Sequence, residues 1–415
     1  MDLLHYPASR LPPFRCTYPH RPVSTSLRRS FTVRSSLDLP FPEEKAKYYR
    51  ELQAAVDVVE RACRLCVDVK KSLFSSNGQI LEKIDQTPVT VADFGVQALV
   101  SMELRNLFPS IPLVAEEDSA SVRANNLVNS VVNVVTDKAR FGDKQLTEAD
   151  VLEAIDRGGK DAFVFGLNPA TYWVLDPIDG TRGFLKGCES LYVVGLALVV
   201  EGEIVLGVMG CPNWQEDYSQ PSTTEVQKYE NILSGAGTIM VSHVGYGTWK
   251  KRLSDIQSSK AKMPHNWTRC FVDVCHVVDE ARFCIPESQT WETLPLSAVY
   301  DATTETENVG KKQIHLLPTC CGSLCKYFMV ASGRASVFIL RARTQTIIKA
   351  WDHAVGIICV REAGGKVTDW RGSQLDLAAD QVERRVLFPS GGVLVTNGSL
   401  HNQILGMISS SLPVV

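Results

Sequence analysis

Residues 173–184, Trp-Val-Leu-Asp-Pro-Ile-Asp-Gly-Thr-Arg-Gly-Phe, concentrate groups able to do chemistry. An apolar lead-in, Trp173-Val174-Leu175, delivers Asp176 at a strand end, Pro177 and Gly180 force a turn, and Asp179 follows within it. Two unpaired anions side by side are costly, so an Asp-x-x-Asp turn at the mouth of an apolar strand implies a cation that offsets their repulsion. Pro177 has no N–H and a fixed φ, which helps hold the Ile178 carbonyl as a third oxygen ligand. Carboxylate and carbonyl oxygens suit Mg²⁺, ideally octahedral at roughly 2.0–2.1 Å. Thr181 supplies a hydroxyl beside the metal and is placed to cap the helix that follows, and the free N–H groups behind Gly180 form a site for a phosphate. A bare D-x-x-D fits an ordinary Asx-rich turn equally well; the full string argues for the cation.

The string W-V-L-D-P-I-D-G-T resembles the signature of the inositol monophosphatase superfamily, Mg²⁺-dependent and lithium-sensitive phosphomonoesterases whose further motifs come in a fixed order. Residues 83–120 carry the next ones. Thr87-Pro88-Val89-Thr90 reads as a turn into a helix over about Val91 to Leu107, with Asp93 in its first turn, where the helix dipole favours a carboxylate. From the residues alone Asp93 is a helix-start acid. Superfamily members read similarly, K-x-D-x-[TS]-P-V-T-x-A-D, which implies that Asp93 works beside the motif Thr. Pro109 and Pro112 end the helix, and a short strand over Ile111 to Ala115 presents Glu116 and Glu117. The family has G-E-E here and uses its first Glu as a metal ligand; Ala115 stands in place of the Gly.

In the second half, residues 320–340 read as a helix over about Gly322 to Ser332, a Gly333 cap and an apolar strand. Ser323 and Lys326 share one helical face and could converge on an anionic group, although the spacing fits a capping Ser and a solvated Lys as well. Bisphosphate nucleotidases of the superfamily carry a similar S-x-x-K-Y and use it on the adenylate. In residues 349–372 Asp352 stands at a helix start, Ala354 to Val360 is a buried apolar run, Gly364-Gly365 ends the helix, and Lys366 to Asp369 begins a strand. The resemblance, W-D-x-A-x-G, implies Asp352 as the remaining metal ligand; His353 is either a structural helix residue or a substrate contact. Two features depart from the nucleotidase branch. Residues 282–292 read RFCIPESQTWE instead of containing its G-H-S segment, and its pocket-closing Arg is matched only by Arg341 or Arg343.

The resemblance implies an α+β fold, an αβαβα layered sandwich of the inositol monophosphatase and fructose-1,6-bisphosphatase type, with the active site between two subdomains at residues 38–245 and 246–415. Glu116, Asp176 and the Ile178 carbonyl would hold one Mg²⁺, and Asp176, Asp179 and Asp352 a second, roughly 3.5–4 Å away as in other two-metal phosphatases, with room for a third ion. Asp93, through the Thr181 hydroxyl, would orient a water and take its proton. Gly180, Thr181, Ser323, Lys326 and Asp352 would bind substrate. The expected reaction is removal of the 3′-phosphate of adenosine 3′,5′-bisphosphate; an inositol phosphate 1-phosphatase is the alternative enzyme, and a non-catalytic interaction protein the alternative of another class.

The elements that must position these groups follow from patterning. Leu52, Val56, Val59, Cys63, Cys66 and Val67 fall at helical spacing, so a long amphipathic helix precedes the first motif, with Cys63 and Cys66 as core thiols rather than a redox pair. A helix is expected around Thr147 to Arg157, and Leu191 to Val200 with Ile204 to Met209 form a hairpin about Glu201-Gly202. Gly235-Ala236-Gly237 marks a strand bend, since no G-x-G-x-x-G follows. Cys320, Cys321 and Cys325 lack the second pair a zinc site needs.

With 415 residues, 45% hydrophobic, 21% charged and a net charge of −3, the chain describes an ordinary globule with no basic surface for nucleic acid and no apolar run for a membrane span. Its twelve cysteines, without a secretory signal, read as reduced thiols. The first 37 residues contain Arg10, Arg15, Arg21, Arg28, Arg29 and Arg34 and only Asp2 as an acid, the profile of an organellar transit peptide, with the mitochondrion ahead of the chloroplast. The partner is a small nucleotide bisphosphate; monomer and homodimer both stay open.

Overall fold

A computed structural model describes residues 39–75, 90–139, 146–159, 162–186, 190–215, 237–253, 267–303, 313–317, 319, 322–343 and 347–411. The expected leader, the Thr87-Pro88-Val89 turn, Gly235-Ala236, and Cys320 and Cys321 lie outside them.

Two helices open the chain: α1 (Tyr49–Ser75) and α2 (Val91–Leu107). Thr90 caps α2 in a reciprocal box, accepting the Asp93 N–H while Asp93 accepts the Thr90 N–H. The two helices are joined by a buried ion pair, Arg61 Nη1 to Glu103 Oε1 at 2.7 Å. Three shorter helices, α3 (Ser119–Ala124), α4 (Val128–Thr136) and α5 (Glu148–Asp156), pack on the outer side of α2 through Phe94, Ala98 and Val131.

Behind α1 and α2 lies a seven-stranded sheet in chain order: β1 (Leu113–Ala115), β2 (Tyr172–Asp179), β3 (Val193–Val200), β4 (Glu203–Cys211), β5 (Thr238–His243), β6 (Gly247–Arg252) and β7 (Thr268–Cys270). Only β1 and β2 run parallel; the rest is an antiparallel meander. The first hairpin expected from the sequence is β3–β4, turning on Glu201 (φ 52°) and Gly202 (φ 86°). A five-residue helix, α6 (Thr181–Leu185), leaves the end of β2.

The second sheet has six strands in the order β13-β15-β11-β8-β10-β9, from β8 (Arg282–Cys284), β9 (Asp301–Thr303), β10 (Gln313–Leu316), β11 (Val337–Arg341), β13 (Lys366–Asp369) and β15 (Gly392–Thr396). A separate ribbon pairs β12 (Ile348–Lys349) with β14 (Val386–Leu387). Between the sheets lie α7 (Leu324–Ala331) and α8 (Ala354–Glu362), and α9 (His401–Ser411) covers the outer face of the second sheet. The layers therefore run helix, sheet, helix, sheet, helix, an α+β fold of the expected αβαβα kind.

Close approach of the middle helices to the first sheet depends on missing side chains. A Cβ on Gly195 would stand 2.4 Å from Leu324 Cδ1, and one on Gly207 2.8 Å from Ile358 Cγ2. Bare backbone at these two strand positions lets the start of α7 and the first half of α8 rest directly against β3 and β4. Cys63 and Cys66 are buried in the core beneath β4, as the helical spacing predicts.

Candidate active site

Asp176 pairs with Gly195 and Asp179 with Val193, with a register shift between them. Pro177 and Ile178 together oppose the single residue Val194, which is a β-bulge. In a regular strand, residues three apart point to opposite faces. Here their partners are two apart, so both carboxylates are turned to one face. Asp176, Asp179 and Asp352 accordingly offer carboxylate oxygens within 4.8 Å of one another.

Asp179 is also anchored. Its Oδ1 accepts the Ser323 N–H at 2.9 Å and its Oδ2 the Leu324 N–H at 2.7 Å, the donors left free at the start of α7. Gly322, at φ 67°, makes this contact possible: a Cβ there would lie 2.1 Å from Asp179 Oδ2. Lys326 is buried and donates its Nζ to the Gly322 carbonyl at 2.7 Å, inside the same loop. Ser323 is half-buried and its side chain makes no cap hydrogen bond. The helix starts two residues later than the spacing predicts because Gly322 leaves the helical region.

Thr181 does not cap α6. Gly180 takes that position at φ 89°, and the Thr181 hydroxyl instead lies 3.1 Å from the Ile178 carbonyl and 3.4 Å from Asp93 Oδ1. The link between Asp93 and Thr181 implied by the resemblance is thus present in the geometry. Asp93 is otherwise fixed by Thr90, whose N–H and hydroxyl reach Oδ2 at 2.9 and 2.6 Å.

Glu116 follows β1 at the rim, exposed as a residue while its carboxylate is set among the other charged groups of the site. It is not within the 4.8 Å group formed by the three aspartates. Its loop is held by residues that sequence patterning did not single out. Gln97, one turn beyond Asp93 on α2, accepts the Glu117 N–H at 2.9 Å and donates to the Glu117 carbonyl at 2.7 Å. Arg385 donates to the carbonyls of Glu116 and Gly158, both at 3.2 Å. Arg385 also stacks on Trp351, 4.6 Å from the ring centroid, and Lys349 lies 5.3 Å from the same ring. The β12–β14 ribbon sets the two cations side by side, a pairing between distant segments that no local motif announces.

Burial, joined at Glu116, Asp176 and Asp352 by the charges of neighbouring carboxylates, raises the pKa values of these acids. Burial lifts Asp93 to about 6 against the hydrogen bonds from Thr90 and Thr181. Asp179 reaches about 6 through burial, opposed by the Lys326 charge and the α7 N–H groups. Glu116 is held up to about 7, first by the protein packed around its carboxylate and then by the charges of Asp93 and Asp179, with Lys349 and Arg385 opposing. Asp176 and Asp352 are pushed well above the usual carboxylate range by burial and by one another's neighbours Glu116 and Asp179.

An oxygen-binding cation fits this arrangement. Asp176 Oδ1 is buried and has no hydrogen-bond partner among the described residues, which is costly unless a positive charge meets it. The surrounding donors are all oxygens, the set hard cations such as Mg²⁺ take. His353, next to Asp352, is buried, kept neutral by a pKa lowered to about 3, and bonded to Tyr327. Arg341, at the exposed end of β11, donates to the Thr293 carbonyl at 2.6 Å, and Arg343 to the Ser288 carbonyl at 3.0 Å.

Residues 48–412 match the Inositol monophosphatase family, and the chain belongs to this family of phosphatases. Among its curated relatives, the Arabidopsis thaliana protein named "Putative 3'(2'),5'-bisphosphate nucleotidase, mitochondrial" is 66% identical over 395 residues, 95% of each chain. The 3′,5′-bisphosphate nucleotidase 2 of Arabidopsis thaliana is 34% identical over 375 residues, 88% of this chain and 97% of that one. A solved structure, the extragenic suppressor protein suhB from Bartonella henselae, shares the fold with a TM-score of 0.51 at 18% identity, over 88% of this chain and 100% of its own.

Proposed function

We propose that this chain is a Mg²⁺-dependent phosphomonoesterase that converts adenosine 3′,5′-bisphosphate and water to AMP and phosphate, and acts likewise on the 3′-phosphate of 3′-phosphoadenylyl sulfate. The observation that carries the reading is the convergence of Asp176, Asp179 and Asp352 beside the Asp93–Thr181 contact. The substrate comes from the relatives, both named for bisphosphate nucleotidase activity.

Asp176, Asp179, Asp352, Glu116 and the Ile178 carbonyl would hold two or three Mg²⁺ ions, which supply a Lewis acid for the phosphoryl oxygens and an acidified water. Asp93, near neutrality in its pKa, takes the proton of the attacking water through the Thr181 hydroxyl. The water oxygen bonds to phosphorus, the bond from phosphorus to the ribose 3′ oxygen breaks with its electron pair on that oxygen, and a solvent proton completes the alcohol. Gly180 and Thr181 would bind the phosphate, and Ser323 would meet the adenylate, with the buried Lys326 acting beneath it through the Gly322 carbonyl. Lys349 and Arg385 oppose the negative charge at the rim.

Phosphate release from adenosine 3′,5′-bisphosphate, inositol 1-phosphate and inositol 1,4-bisphosphate, with Mg²⁺ and with or without lithium, tests this. Lithium-sensitive turnover of the nucleotide alone is expected. Preference for an inositol phosphate would retain the cation site and reject the adenylate pocket; the RFCIPESQTWE segment in place of G-H-S is what favours that second reading. No turnover of any of them by the Mg²⁺-loaded protein would favour an interaction protein. The relative's mitochondrial name and the Arg-rich first 37 residues support an organellar destination, mitochondrial ahead of plastid, which imaging a fluorescent fusion of those residues checks.

A further inference from the structure

Behind the three aspartates, two helix starts meet. The start of α7 cradles Asp179, and α8 begins at Ala354, with His353 as the cap residue between it and Asp352. Tyr327, one turn into α7, and His353, at the head of α8, are both fully buried, and the Tyr327 hydroxyl lies 2.9 Å from His353 Nδ1. Their rings meet edge to face with centroids 5.7 Å apart, and Phe338 holds the other side of Tyr327 at 5.4 Å. Gly356 on α8 admits the phenol ring, since a Cβ there would come within 2.2 Å of Tyr327 Cγ. This contact ties α7 to α8 immediately behind the aspartates.

We infer that the Tyr327–His353 hydrogen bond is a positioning element that fixes the separation between Asp352 and the helix start holding Asp179, and so sets how tightly the three-aspartate site takes a divalent cation. The inference rests on reading Asp176, Asp179 and Asp352 as that site. Neither residue touches the cation: Tyr327 acts through α7 on Asp179, and His353 through the chain on Asp352. Partners that orient ligating groups typically change metal affinity by about 10–100-fold when removed.

The test uses Mn²⁺ as probe, its unbound fraction read by electron paramagnetic resonance in the purified full chain. Tyr327→Phe keeps the ring against Gly356 and deletes only the hydroxyl; its Mn²⁺ affinity is expected to fall about tenfold. His353→Leu is expected to follow it, while His353→Asn, which keeps an acceptor near the position of Nδ1, stays within about threefold of the unsubstituted protein. Tyr327→Phe binding within twofold of the unsubstituted protein overturns the inference, as does a lowered Tm without lowered affinity. Asp176→Asn separates the two failures. If it binds Mn²⁺ as the unsubstituted protein does, the cation-site reading falls and this inference with it.

Discussion

Asp179 accepts the N–H of Leu324 at 2.7 Å, so a residue of the first sheet closes the start of a helix belonging to the second half of the chain. One carboxylate thereby ties the first sheet to the helix layer between the sheets, beside Asp176 and Asp352. Its neighbour in that contact, Gly322, has no room for a side chain.

Gly322→Ala is therefore expected to weaken both the fold and the site. A non-glycine residue at φ 67° costs roughly 1–2 kcal/mol, and the added methyl must also displace Asp179 Oδ2. A lowered Tm together with a higher Mg²⁺ requirement is the expected result. A lowered Tm with an unchanged Mg²⁺ requirement would separate the Asp179 cradle from the cation site.

Asp93→Asn should reduce kcat by roughly 10²–10⁴-fold, the contribution of a positioned general base. The amide oxygen can still accept from Thr90, so α2 stays capped and the Tm is not lowered. Near-normal kcat in a folded variant would remove Asp93 from the mechanism.

Lys349 lies near enough to oppose the raised pKa values of both Glu116 and Asp352. Lys349→Met keeps the stem on Trp351 and removes the charge. The variant should bind Mg²⁺ more tightly, because a competing cation is gone, yet show a KM for the bisphosphate raised roughly tenfold, the worth of one charged hydrogen bond. Changes of the same sign in both quantities would contradict this placement.

Without a divalent cation, Asp93 and Asp179 titrate at about 6 and Glu116 at about 7, all above their unfolded values. The folded state then binds protons more tightly than the unfolded chain, so these groups remove stability as pH rises from about 4 to about 7. His353, lowered to about 3, and His401, lowered to about 4, act in the opposite sense, costing stability as pH falls below the ordinary histidine range. The rise in Tm caused by Mg²⁺ isolates the carboxylates and should grow from about pH 5 to about pH 8. A shift that is flat with pH would place the ion elsewhere.

Much of this site is legible in the chain because its parts are local. The Trp173–Phe184 string, the helix over Val91–Leu107 and the strand before Glu116 all follow from apolar spacing, prolines and glycines within a dozen residues. What escapes local reading is made by contact. The bulge at Pro177–Ile178 appears only when β3 supplies Val194 as the single opposite residue. Thr181 looks like a cap until Gly180 takes that place and frees its hydroxyl for Asp93. Lys326 looks like a surface ammonium until the loop before α7 folds over it. Gln97 and Arg385 carry no motif, because their task is to hold a loop whose own sequence lies elsewhere.

The five-layer order has a kinetic consequence. Asp93 on the outermost helix layer and Asp352 between the sheets are separated by most of the ordered chain, and neither sheet alone holds the full set of acids. Contacts of such long sequence separation form late and slowly. A chain still emerging from a ribosome carries the acids without the site, so phosphatase activity doubles as a report that folding has reached its end.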